Sequence, residues 1–188
     1  IEFVYSPIYD SLLTEMSKKE FSESQMKEIA FYKEEFEAVW KKDEKKIISE
    51  IEKLSRLKFK GNKTCFIVGH MKYAAISRPL TVKMHQHLER CNTILIHELV
   101  HILLEDNKDK LQNLIKNLYP GTEMEFKIHI PVLLITRKVV EKLYGYDTFE
   151  SVLKDEMKRD VLNAVWPVVN ELYPKFSSGI EKFLKKAK

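Results

Sequence analysis

Cysteine is scarce: only Cys65 and Cys91 occur in 188 residues, far apart and outside any Cys-x-x-Cys spacing. That excludes a disulfide-stapled scaffold and a cysteine-based zinc knuckle. The two thiols read as reduced and half-buried in a reducing, cytoplasmic setting; a single disulfide is compatible with the sequence but not indicated by it. The chain also lacks the ~20 consecutive apolar residues of a membrane-spanning helix. Its densest apolar run, Ile130-Pro131-Val132-Leu133-Leu134-Ile135, is far too short. No signal peptide is visible, although a first residue of Ile rather than Met leaves room for a trimmed leader. Repeats, low-complexity tracts and linkers are missing too. With only five Gly and abundant Lys and Glu, the composition suits a heat-adapted protein. An excess of one charge sign is likewise absent: 32 basic and 28 acidic side chains leave a formal net charge of +4, spread along the chain. Nucleic acid is therefore not an expected partner. Lys182, Lys185, Lys186 and Lys188 read as the solvated end of a C-terminal helix, matched to its dipole.

What is present fits a globular protein, with 44% hydrophobic and 32% charged residues. The length is that of a single domain, residues 1–188, with enough chain to bury a core. Residues 1–56 read as an N-terminal helical layer. Ser22 and Gln25 can form a capping box ahead of Met26, Ile29, Tyr32, Phe36, Val39 and Trp40, at three-and-four spacing. A second amphipathic segment carries Ile47, Ile48, Ile51 and Leu54. The texture changes at Leu57, and residues 57–91 read as a small sheet. Leu57–Lys60 and Lys63–Val68 flank Gly61-Asn62 as a hairpin, and Leu80–Met84 is a further strand after Pro79.

Residues 92–145 read as helices. The first begins at Asn92 or Thr93 and frays near Asp106-Asn107-Lys108; the next carries Leu111, Leu114, Ile115 and Leu118 and closes at Pro120-Gly121. Thr122 and Glu125 then form a second capping box, opening a helix that kinks at Pro131 and stops at Gly145. Residues 146–188 form C-terminal helices, chiefly one long helix through Phe149, Val152, Leu153, Met157, Val161, Val165, Trp166 and Val169, kinked at Pro167. The fold class expected is α+β and mostly helical, with the small sheet packed by one central helix between helical layers.

That central helix carries His97-Glu98-Leu99-Val100-His101 between Ile94-Leu95-Ile96 and Ile102-Leu103-Leu104. Residues four apart on a helix sit one above the other, so His97 and His101 can present imidazole nitrogens to one ion. Glu98 lies about 100° round, placed to take a proton from metal-bound water. A helix apolar on all sides is a buried one, and two His with a Glu are costly there unless something charged meets them. The competing reading is a pair of core histidines hydrogen-bonded to backbone or carboxylates.

The pentad and its flanks resemble the zincin metallopeptidases. The resemblance covers about a dozen residues. It implies a zincin-like fold, Zn²⁺ held by His97 and His101, Glu98 as general base and acid, and a peptide or protein substrate. The short-spaced metzincin subclass wants Gly and then His or Asp where this chain has Leu104 and Asn107, so what remains is gluzincin-like, with the third ligand on a later helix. Glu105, Asp106, Glu123, Glu125 and His129 are the candidates. Glu105 shares the straight face of the two His and reads as a supporting or surface group, while Glu123 and Glu125 have a sufficient role in the first turn of a helix. His129, between Ile128 and Ile130, has no such role and is the preferred third ligand. Glu125 is the alternative, favoured by the gluzincin resemblance; four residues apart, both can face the metal. Tyr73, Tyr144, Tyr146, His70 and Arg78 are candidates for stabilising an oxyanion. His85 and His87 point to one side if they lie on a strand, but read as surface or loop residues more than as a second metal site.

The leading functional reading is a zinc peptidase. A non-catalytic zinc-binding module, its cleft covered by the N-terminal helical layer, is the alternative. A di-iron carboxylate bundle needs a second Glu-x-x-His pair, and the chain holds only Glu98–His101.

Overall fold

A computed structural model describes residues 1–85, 87–156 and 160–186. They are mostly helical with one small mixed sheet, an α+β arrangement. The chain forms two compact units, residues 1–45 with 61–99 and residues 46–60 with 100–188.

The first unit opens with strand β1 (Glu2–Tyr5), then helices α1 (Pro7–Met16) and α2 (Glu23–Ser55). The N-terminal layer is therefore not wholly helical. Four residues whose partners lie some sixty positions away leave little local signal, and here Phe3 sets the strand. It is buried, edge-on to Phe36 at 5.3 Å and to Trp40 at 6.4 Å. Ser6 caps α1 by accepting the Tyr9 N–H, with Pro7 at the first helical position. The Ser22–Gln25 box forms reciprocally: the Ser22 N–H donates to the Gln25 side chain at 2.9 Å, and the Gln25 N–H to Ser22 Oγ at 3.3 Å. The two amphipathic segments that follow are one helix of 33 residues, which passes from the first unit into the second.

The sheet has the order β1-β2-β4-β3, with β2 Thr64–Val68, β3 Ala75–Ser77 and β4 Leu80–Lys83. Strands β1, β2 and β4 run parallel; β3 is an antiparallel edge strand, joined to β4 through the cis Arg78–Pro79 peptide. The expected hairpin over 57–68 does not form. The backbone of 57–60 is satisfied by side chains instead of a ladder: the N–H groups of Leu57, Phe59 and Lys60 donate to Ser55, Glu52 and Asp106, and Asn107 donates to the Lys58 carbonyl. Strand β2 pairs with β1 in register Glu2↔Thr64 to Tyr5↔Ile67.

Helix α3 (Leu88–Asp106) follows the sheet. It starts about a turn before Asn92 and Thr93, whose side chains are buried rather than capping. It runs from the first unit, which holds it as far as Leu99, into the second, which begins again at Val100. The second unit continues with α4 (Lys108–Lys116), α5 (Met124–Tyr144), α6 (Tyr146–Glu156), α7 (Asp160–Leu172), a 3-10 turn at Tyr173–Lys175 and α8 (Ile180–Leu184). Pro131 and Pro167 lie inside α5 and α7, and Gly145 ends α5 with φ +89°. The Thr122–Glu125 box is not made. The Thr122 hydroxyl donates back to the Tyr119 carbonyl at 2.9 Å, and Glu123 stands at the N-cap without a side-chain cap bond. The long C-terminal helix is seen as α6 and α7; Met157 lies outside the described residues, as does Lys188. Helix α5 packs on α4, α6 and α7, and Arg137 on α5 lies over the rings of Phe149 and Tyr173, bonded to Glu141 and Asn170. Among the described residues no helix is long and apolar enough to cross a membrane.

Candidate metal centre

Helix α3 forms where the sequence is apolar on every side, so its polar side chains are carried inside with it. Leu95, Ile96, Leu99, Val100 and Leu103 are all 0% exposed. In the same stretch His97 is 9% and Glu98 7% exposed, while His101 is half-buried. Buried polar groups of this kind persist only with partners.

The partner helix is α5, and it supplies His129, 6% exposed between Ile128 and Ile130. The His101 and His129 rings meet edge to face with centroids 4.8 Å apart. One ligand-capable atom from each of His97, His101 and His129 lies within 4.8 Å of the others. Three nitrogens around one tetrahedral ion, each about 2.0–2.1 Å from it, stand about 3.3–3.4 Å apart. The three imidazoles are therefore gathered at spacings no more than about 1.5 Å wider than a common ion sets. Among the described residues this is the cluster of His, Cys, Asp and Glu capable of holding a metal.

The tautomer of His129 follows from its backbone contact. Its Nδ1 lies 2.7 Å from the Glu125 carbonyl oxygen. A carbonyl only accepts, so Nδ1 carries the proton and Nε2 keeps its lone pair for a ligand. Backbone support of this kind fixes the ring orientation of metal-binding His. Glu125 thus acts through its carbonyl. Its side chain is exposed, and the metal-capable cluster does not include it.

The remaining acidic candidates have other partners. Glu105 pairs with Lys108 at 3.3 Å, the Asp106 carboxylate accepts the Lys60 N–H at 2.8 Å, and Glu123 is exposed. Of the oxyanion candidates, Tyr73 and Tyr146 are exposed, as is Arg78 beside the cis peptide. Tyr144 closes α5, its carbonyl accepting from Thr148. His70 is half-buried, and its backbone N–H donates to the Asp10 carboxylate. His85 and His87 follow β4 in a loop rather than on a strand, with the His87 N–H donating to His85 Nδ1 at 3.1 Å.

Sequence reasoning missed what lies around Glu98. Cys65 on β2 and Cys91 on α3 form no disulfide and are fully buried, not half-buried. Burial pushes the Cys65 thiol well above its ordinary range, and the nearby Cys91 and Glu98 charges add to it. Cys91 Sγ sits 2.8 Å from the Tyr32 hydroxyl, which also accepts the His85 N–H at 3.2 Å. The glutamate of the motif is therefore near enough to the Cys65 thiol to act on it through space. No short motif signals this packing, because the residues involved are some thirty to sixty positions apart.

Compared with known proteins, the chain matches no protein-family model, no curated protein and no solved structure.

Proposed function

We propose that this chain is a zinc-dependent peptidase of the zincin type. The observation that carries the reading is the convergence of His97, His101 and His129 next to a buried Glu98 that follows the first ligand directly. Three imidazoles are a donor set that zinc accepts, and three protein ligands leave a fourth position for water or substrate. When bound, zinc lowers the pKa of that water and polarises a scissile carbonyl. His97 and His101 would hold the ion from one helix and His129 from a second, its ring oriented by the Glu125 carbonyl. Glu98 takes the proton from the attacking water and delivers it to the departing amine. Strand β3 supports the reading: it is the antiparallel edge of a sheet that runs directly into α3, where an extended peptide main chain can pair. Two buried thiols outside any disulfide favour a reducing, cytoplasmic location.

A second reading, a zinc-binding module without turnover, is favoured by the closure of the centre, since His97, Glu98 and His129 are each no more than 9% exposed. The two are separated by Glu98→Gln, which keeps shape and hydrogen bonding but cannot accept the proton. The variant is expected to fold, retain about one zinc and lose about 10²–10⁴-fold in rate on a mixed peptide library cleaved by the parent. Equal turnover by parent and variant refutes the role of Glu98. A zinc-loaded parent that cleaves nothing favours the module.

A further inference from the structure

The second unit holds a cleft of about 1060 Å³ formed by α4, α5, α7, α8 and the turn before α5. It is separate from the metal-capable cluster. Lys127, which lines it, and His129 are two positions apart on α5, about 200° round the helix from each other. The lining combines apolar side chains, Tyr119, Pro120, Leu172 and Phe183, with four lysines, Lys116, Lys127, Lys175 and Lys186. The lining holds one acidic residue, Glu171, already paired with Lys175 at 2.9 Å.

Three lysines of the lining, Lys116, Lys127 and Lys186, thus have no carboxylate partner among the described residues. Lys127 is the informative one. It is 8% exposed, and its Nζ donates to the Lys116 carbonyl at 2.9 Å. That bond answers the negative end of α4, but a carbonyl is a partial charge and the buried ammonium is a full one. Such a cation is stabilised by an anion entering from the open side.

We infer that this cleft binds a phosphorylated small molecule with an aromatic or aliphatic body. Lysines act as point charges toward phosphate, and the lining has no Arg fork for bidentate hold on a carboxylate. A dianionic phosphate monoester with several acceptor oxygens answers three ammonium groups, whereas a carboxylate brings one charge. The aromatic and aliphatic part of the lining suits the body, and the volume is at the upper end of small-molecule sites.

The test uses fluorescent 1-naphthyl phosphate with the whole chain, at about pH 7.5 where a phosphate monoester is dianionic. Saturable binding is expected with a Kd below about 1 mM, displaced by inorganic phosphate. Lys116→Gln with Lys186→Gln removes two exposed ammonium groups and leaves Lys127 to close α4. It should weaken binding about tenfold or more, as should raising salt from about 0.05 to about 0.5 M. His101→Ala should leave binding unchanged. The inference is overturned if no saturable binding occurs, if the double variant binds as well as the parent, or if neutral 1-naphthol binds equally. It is also overturned if an oligo-glutamate peptide binds more tightly, which assigns the cleft to acidic peptides, or if His101→Ala abolishes binding, which places the probe at the metal centre.

Discussion

Removing the imidazole of His129 tests the metal centre directly, and the structure sets the size of the effect. Structural zinc sites with a full protein ligand set bind with an apparent ~10–16 kcal/mol, or roughly 3–4 kcal/mol per ligand. His129→Ala deletes one of the three candidate ligands and the Nδ1 contact that orients it. The zinc dissociation constant is expected to rise about 10²–10³-fold, since each ~1.4 kcal/mol is a factor of ten. Glu125→Ala is the matched control. The Glu125 side chain is exposed, and the variant keeps the carbonyl that holds the ring. Its zinc affinity should change by less than about threefold, as for other exposed charges. His129→Ala also removes a buried side chain, which costs about 1–3 kcal/mol of stability without metal. Circular dichroism must therefore show both variants folded at the assay temperature. Affinities are then read by competition with a chromophoric chelator at neutral pH, with a second readout in Tm. Excess zinc stabilises the native state by RT ln(1 + [Zn]/Kd), so the zinc-induced rise in Tm should shrink in His129→Ala and persist in Glu125→Ala. The reasoning is refuted if Glu125→Ala loses the metal while His129→Ala keeps it; the carboxylate would then be the ligand.

Three further outcomes follow from buried groups in the first unit. Asp10 is fully buried, and burial raises its pKa against the lowering effect of the Gly69 and His70 backbone N–H groups and of Tyr5 and His70. A folded pKa above the unfolded one means stability is lost as pH rises through the interval between the two; Asp10→Asn should remove that loss and be at least as stable as the parent at pH ~7 in urea titrations. A less stable Asn variant would mean that the ionised form is the favoured one. Asp10→Ala leaves the Gly69 N–H, now bonded at 2.9 Å, without its acceptor and should cost about 1–3 kcal/mol. Cys65 and Cys91 should resist a thiol-reactive disulfide reagent in the native state and react on unfolding, because burial blocks access to both and raises the Cys65 thiol; fast native-state labelling would contradict their burial.

The sequence by itself determined the elements whose signal is local. Ser22 and Gln25 announce the start of α2 because the reciprocal bonds span only three residues. The ends of α3 and α5 are legible for the same reason, at Asp106 and at Gly145. His97, Glu98 and His101 are visible as a set because the helix repeat alone puts two imidazoles on one face. Where the signal was non-local or ambiguous, the sequence did not decide. Strand β1 exists only because Phe3 packs on α2 and because β2 pairs with it across some sixty residues. The segment 57–60 has strand-like composition, but Ser55, Glu52, Asp106 and Asn107 take its backbone bonds. Thr122 looked like a cap and turned instead to the Tyr119 carbonyl. His129 and Glu125 were both candidates on spacing alone. Only the packing of α5 against the chain around it turns the imidazole inward and the carboxylate outward, because a neutral ring with one backbone bond is far cheaper to bury than a charge. The sequence names the groups that can do chemistry, and tertiary packing decides which of them meet.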